Sequence, residues 1–267
     1  MLFPFSAVQD LFPVLFAVLI LSQKIGFSLC TSNSSNLTSN LEQDRIYNGE
    51  TVEAGKWPFM VALLFNTGMG YTQFCGGSII NDDSILTATH CAWVDSDRSA
   101  QNLTVLPGDV FVYVGHINLK TLNRNYLYAV KEFIVNPVMA ATRHLVKNSL
   151  TGEEEYQLDF SQGHDAAVIK LEKKITFEEG LVTPVCLPHP KAVVIREQCI
   201  VMGWGTREDG SHPNALYQVE IPIMDGGSSC GSSSAWDRAQ LICAGNPKYQ
   251  KDACQGDSGK FFFAVPF

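Results

Sequence analysis

The run Phe59-Met60-Val61-Ala62-Leu63-Leu64-Phe65 lies between Pro58 and Asn66 and contains no polar residue. A short apolar stretch bounded by turn-forming residues reads as a β-strand. The same texture recurs along the chain, in Gly77-Ser-Ile-Ile80, Val110-Phe-Val-Tyr-Val114, Ala166-Ala-Val-Ile-Lys-Leu171, Cys199-Ile-Val-Met202 and Tyr217-Gln-Val-Glu-Ile221. Gly, Asn, Asp and Pro punctuate these runs, and no long stretch repeats with a period of 3.6. Many short strands joined by frequent turns define an all-β sandwich or barrel.

Upstream of this region the composition changes. Residues 31–44 are rich in Ser, Asn and Thr and nearly free of large apolar side chains, which is the composition of a disordered linker or pro-segment. Before them, the apolar run Leu11–Leu21 has the length of a signal-peptide core and is too short for a bilayer span. The residues before it include Asp10 and no Lys or Arg, so a signal anchor is the competing reading. Cleavage is expected near residues 28–31, giving a secreted, extracellular protein with no membrane attachment afterwards. The expected organisation is a signal peptide at 1–29, a pro-segment at 30–45, a first half-domain at 46–177 and a second at 178–267. Pro184 and Pro188, on either side of Cys186, mark the link between the halves. Residues 139–163 include Glu153-Glu154-Glu155 and break the strand rhythm, so they read as a surface loop insertion.

The chain of 267 residues has a formal net charge of −8, which argues against nucleic acid or an anionic membrane as partner. Its 8 cysteines are widely spaced, as in oxidised extracellular proteins. No CxxC pair is present and the histidines do not fall at ligand spacing with the cysteines, so neither a metal nor another cofactor is expected. The sequons at Asn33, Asn36 and Asn102 are candidate glycosylation sites, in keeping with secretion.

The chemistry-bearing segment is Cys254-Gln255-Gly256-Asp257-Ser258-Gly259. A serine hydroxyl becomes a useful nucleophile only with an imidazole as base, a carboxylate to hold that imidazole's tautomer, and N–H donors where an oxyanion forms. Thr87-Ala-Thr-His90-Cys91 supplies the imidazole, next to a cysteine that can anchor it. His164-Asp165, just before an apolar strand, supplies the carboxylate. Gly256 permits close backbone approach, so the amides of Gly256 and Ser258 can form the oxyanion hole. Taken singly, Gly-Asp-Ser-Gly is also an ordinary turn, His90 also a structural histidine and Asp165 also a turn or cap residue. Together, in the order His, Asp, Ser, they match the chymotrypsin template.

With these residues in place the chain resembles the trypsin/chymotrypsin family of serine proteases from about Ile46 to Gly259. The resemblance is carried by Trp57-Pro58-Phe59, Phe74-Cys75-Gly76-Gly77-Ser78, Leu86-Thr-Ala-Thr-His90-Cys91, Gly203-Trp204-Gly205, Ile242-Cys243-Ala244-Gly245 and Asp252-Ala-Cys254-Gln-Gly-Asp-Ser258-Gly259. It implies two antiparallel β-barrels with His90, Asp165 and Ser258 in the cleft between them. It also implies a zymogen cut after Arg45 by a trypsin-like protease, with the new α-amino group of Ile46 paired to Asp257. Tyr47 and Asn48 stand where the family usually has Val and Gly. Asp252 matches the position at the floor of the specificity pocket, where a carboxylate selects Arg or Lys; outside that context it reads as an exposed loop residue. Protein or peptide substrates, an activating protease and protease inhibitors are the partners this implies.

The resemblance also pairs Cys75 with Cys91 and Cys230 with Cys243, and places Cys186 to hold the pro-segment through Cys30. Cys199 and Cys254 are then left without family partners, either unpaired or in a bond outside the family pattern. Lys260 stands where the family has glycine, and Phe261–Val265 can form one apolar strand. The pocket walls and closing strands that family members carry further on are not matched, so the second barrel is expected to be incomplete at its C-terminus, with little or no hydrolysis of Arg- or Lys-esters by this chain. The competing functional reading is an inactive, truncated or decoy homologue that acts by binding; an adhesion module, supported only by the sequons and the acidic loop, is a third.

Overall fold

A computed structural model describes residues 49–92, 107–138, 144–147, 154–157, 164–187, 198–205, 213–223, 244 and 263–264, all within the compact unit Leu41–Phe267. Twelve strands occur among them: β1 (Glu50–Thr51), β2 (Met60–Asn66), β3 (Tyr71–Asn81), β4 (Ser84–Thr87), β5 (Val110–Val114), β6 (Leu127–Val135), β7 (His144–Lys147), β8 (Glu154–Gln157), β9 (Ala167–Leu171), β10 (Gln198–Gly203), β11 (Tyr217–Pro222) and β12 (Phe263–Ala264). Strands β2, β3, β4, β9, β6 and β5 close into a six-stranded barrel in that order. A second, four-stranded sheet has the order β1-β11-β10-β12, and every pairing in both is antiparallel. The all-β fold expected from the strand texture is present, and a closed barrel beside a second sheet is the arrangement of the trypsin-like double barrel.

The apolar run that opens the domain lacks polar alternation because both of its faces are covered. Side chains alternate across a strand. In β2, Val61 and Leu63 point into the barrel with Ile79, Ile85, Val112, Val130 and Ile169. Met60, Ala62 and Leu64 pack outside it with Tyr113, Ile200, Met202, Trp204 and Leu216. The second sheet divides in the same way. Ile200 and Met202 of β10 join that shared cluster, whereas Cys199 and Val201 pack with Tyr217, Val219 and Ile221.

Backbone bonds continue the join made by the shared cluster. Ile117 accepts from Leu216 N (2.8 Å) and from the Trp204 indole (2.9 Å), while Leu119 N donates to Asn214 O (2.7 Å). Strand β1 pairs with β11, so Glu50 and Thr51 lie on the second sheet. There Trp57 Nε1 donates to Gln218 Oε1 (2.7 Å), and Gln218 Nε2 donates to Glu50 Oε1 (2.5 Å).

The segment expected to be a plain loop insertion contains structure of its own. Strands β7 and β8 pair antiparallel, with Lys147 opposite Glu154 and Leu145 opposite Tyr156 in the register. The polar composition that reads as loop is that of a hairpin outside the barrel.

Candidate active site

Strand β4 ends at Thr87 and a 3₁₀ turn, Thr89–Ala92, follows it. Strand β9 begins at Ala167, paired directly with Thr87. The residues just after β4 and just before β9 therefore meet at one rim of the barrel. That register brings together His90 and Asp165, which are far apart in sequence. The Asp165 carboxylate accepts twice from His90: Oδ1 from the backbone N–H at 2.9 Å and Oδ2 from Nδ1 at 2.6 Å. An ionised carboxylate only accepts, so in this contact Nδ1 is the donor. The pair is half-buried, with side-chain exposures of 28% for His90 and 25% for Asp165. A charge-assisted bond in such a setting fixes both the tautomer and the direction of the ring.

Neighbouring groups hold both sides of the pair. Cys91 is joined to Cys75 of β3 by a disulfide with a Cα–Cα distance of 6.2 Å. Thr87 Oγ1 donates to Gly76 O (2.8 Å) and Thr89 Oγ1 to Ala166 O (2.7 Å). Gly77 allows β3 and β4 to approach closely, since a Cβ there would come within 2.7 Å of the Ile85 side chain and 3.0 Å of the Leu86 carbonyl. At the far end of β4 and β9, burial pushes the Asp83 carboxyl up. Hydrogen bonds from Lys170 and Ser84 and the charges of Lys170 and Lys174 outweigh burial, and Asp83 titrates below the ordinary carboxylate value. The β4–β9 pair is thus pinned at both ends.

Cys186 is disulfide-bonded, and Cys199 is the free cysteine among the described residues. The Cys199 thiol donates to Ile221 O at 3.2 Å, and burial pushes its pKa up to about 11, with a smaller contribution from Glu220. The register sets Cys199 opposite Ala264 of β12, so the facing position carries no sulfur.

The expected nucleophile Ser258, oxyanion donor Gly256, pocket residue Asp252 and activation residues Arg45, Ile46 and Asp257 lie outside the described residues. So do Cys30, Cys230, Cys243, Cys254, Asn33, Asn36 and Asn102. The threonines that clamp the site were not distinguishable in sequence as anything but strand-end residues. Their partners are backbone carbonyls on other elements, and only the spacing Thr87-Ala88-Thr89 beside His90 pointed to them.

A family model described as Trypsin matches residues 46–260. The chain belongs to the trypsin family of serine proteases. It is 29% identical over 225 residues to serine proteinase stubble of Drosophila melanogaster, covering 81% of this chain and 25% of that protein. It is 26% identical over 237 residues to ovochymase of Halocynthia roretzi, covering 87% of this chain and 13% of that protein. The chain thus spans a quarter or less of the length of these relatives. Among the described residues no helix is long and apolar enough to cross a membrane.

Proposed function

We propose that the chain is a secreted trypsin-like endopeptidase made as a zymogen, cut after Arg45 and cleaving peptide bonds after Arg or Lys. The observation that carries this reading is the double contact between Asp165 and His90, at 2.9 Å to the backbone and 2.6 Å to Nδ1. It fixes the direction of the His90 ring at a barrel rim.

In this reading Ser258 Oγ attacks the scissile carbonyl and His90 Nε2 takes its proton. The amides of Gly256 and Ser258 stabilise the oxyanion, and His90 returns the proton to the leaving amine. Water then repeats the sequence on the acyl-enzyme and releases the second product. Asp165 balances the transient imidazolium while remaining ionised. Asp252 supplies the carboxylate that favours a cationic side chain before the cut bond. The pairing of Ile46 with Asp257 orders the oxyanion segment after activation. Cys30–Cys186 retention of the pro-segment, a Cys230–Cys243 bridge and glycans on Asn33, Asn36 and Asn102 complete the proposal.

The test is hydrolysis of Arg- and Lys-ester substrates after limited cleavage at Arg45. Turnover that is lost in Ser258→Ala and in Arg45→Gln supports the reading. Turnover indifferent to Ser258→Ala overturns it, and substrate binding with no turnover replaces it with the binding homologue.

A further inference from the structure

Among the described residues, one non-glycine backbone occupies the left-handed region: His164, at φ +64°. It immediately precedes Asp165. In this conformation the Cβ of an L-residue crowds the following carbonyl, and Asn, Asp and His tolerate it better than other side chains. Uncommon backbone held in place by its surroundings is informative when it adjoins a functional group.

The backbone next to His164 is closely constrained. Ala166 N donates back to His164 O at 2.9 Å, closing a three-residue turn with Asp165 at its apex. Beyond the apex, Ala166 O accepts from Thr89 Oγ1 at 2.7 Å, and Ala167 enters β9 opposite Thr87. With that side fixed, the orientation of the Asp165 peptide depends on the dihedrals of residue 164. Those dihedrals place the apex carboxylate where Oδ1 and Oδ2 meet the two N–H groups of His90.

We infer that His164 is a positioning residue for the His90–Asp165 pair, acting through its left-handed backbone rather than its ring. The kinetic part of this inference rests on the proposed endopeptidase reading; the spectroscopic part does not. A left-handed residue at this point aims the carboxylate, and any residue that accepts the conformation serves equally well.

The experiment compares His164→Gly and His164→Asn, which accept positive φ, with His164→Val, which resists it. The first readout is the downfield proton resonance of His90 Nδ1–H in the full-length chain. It is expected unchanged in the Gly and Asn variants and shifted upfield or broadened in the Val variant. The second is kinetics on an Arg ester: kcat falls about 10- to 100-fold in His164→Val with KM nearly unchanged, the effect of a slightly misplaced catalytic pair. Gly and Asn variants retain kcat. Thermal melting of all three checks folding, and if the Val variant does not fold, the Gly and Asn variants decide the matter. Loss of the resonance or of kcat in both Gly and Asn overturns the backbone role and assigns it to the ring. An unchanged resonance in folded His164→Val overturns positioning altogether. Turnover unaffected by Ser258→Ala, with the resonance still responding to Val, overturns the endopeptidase reading and leaves the positioning inference standing.

Discussion

At the scale of single residues, the His90–Asp165 pair yields the sharpest expectation. Asp165→Asn keeps the shape but offers an amide NH₂, which lets His90 Nδ1 act as acceptor and puts the proton on Nε2. Within the proposed reading, kcat on an Arg ester falls about 10⁴-fold with a small change in KM. A loss of less than tenfold would remove Asp165 from the triad. Cys199 gives a second expectation, independent of activity. Its thiol is buried and rises from an ordinary 9.0 to about 11. The folded state then binds more protons than the unfolded state between these values, so stability from this group is full below about 9 and declines as pH rises toward 11. Urea unfolding at pH 8 and pH 10.5 is expected to show the decline, and Cys199→Ala to remove that part of it. These residues differ in how plainly sequence exposed them. His90 and Asp165 were legible from their sequence blocks and their order along the chain. The left-handed His164 was not, because a backbone angle leaves no mark when the residue is not glycine.

At the scale of elements, strand β10 shows what register adds to sequence. Its alternation divides Ile200 and Met202 from Cys199 and Val201, and its pairing with β12 sets Cys199 across from Ala264. The apolar strand expected over Phe261–Val265 includes the observed β12, and of the two outcomes open to Cys199, no partner or a bond outside the family pattern, the structure shows the first. Which residue faces Cys199 could not be read beforehand, since register depends on pairing partners and a one-residue slip reverses it. Facing residues of an antiparallel pair have Cβ atoms about 4.5–5.5 Å apart, within a small adjustment of disulfide geometry. Ala264→Cys is therefore expected to bond spontaneously to Cys199 under oxidising conditions. Non-reducing peptide mapping detects the link, and failure to form it while the protein is folded contradicts the register. The β7–β8 hairpin carries the reverse lesson. Short polar strands outside a barrel lack the apolar texture by which sequence reveals core strands.

At the scale of the whole molecule, the barrel and the second sheet meet in one shared buried cluster. Trp204 is fully buried in it, packed with residues of β2 and β5 from the barrel and β10 from the sheet, and its indole donates to Ile117 O. Sequence made the strands of each half visible, but it could not show that the outward face of β2 is also core. That follows only when a second sheet covers Met60, Ala62 and Leu64. If this cluster is what makes the two parts unfold together, weakening it must reduce cooperativity as well as stability. Trp204→Ala is expected to cost about 3–5 kcal/mol through lost packing and an unfilled cavity. Trp204→Phe keeps most of the apolar volume and leaves Ile117 O its bond from Leu216, so its loss is nearer about 1 kcal/mol. The two variants should therefore separate in the shape of unfolding, not just its midpoint. Calorimetry of Trp204→Ala is expected to resolve a barrel transition from an earlier one of the second sheet, whereas Trp204→Phe melts in a single step. A single transition in both, with equal van't Hoff and calorimetric enthalpies, would assign the coupling to the backbone bonds of Ile117 and Leu119 instead of the buried cluster.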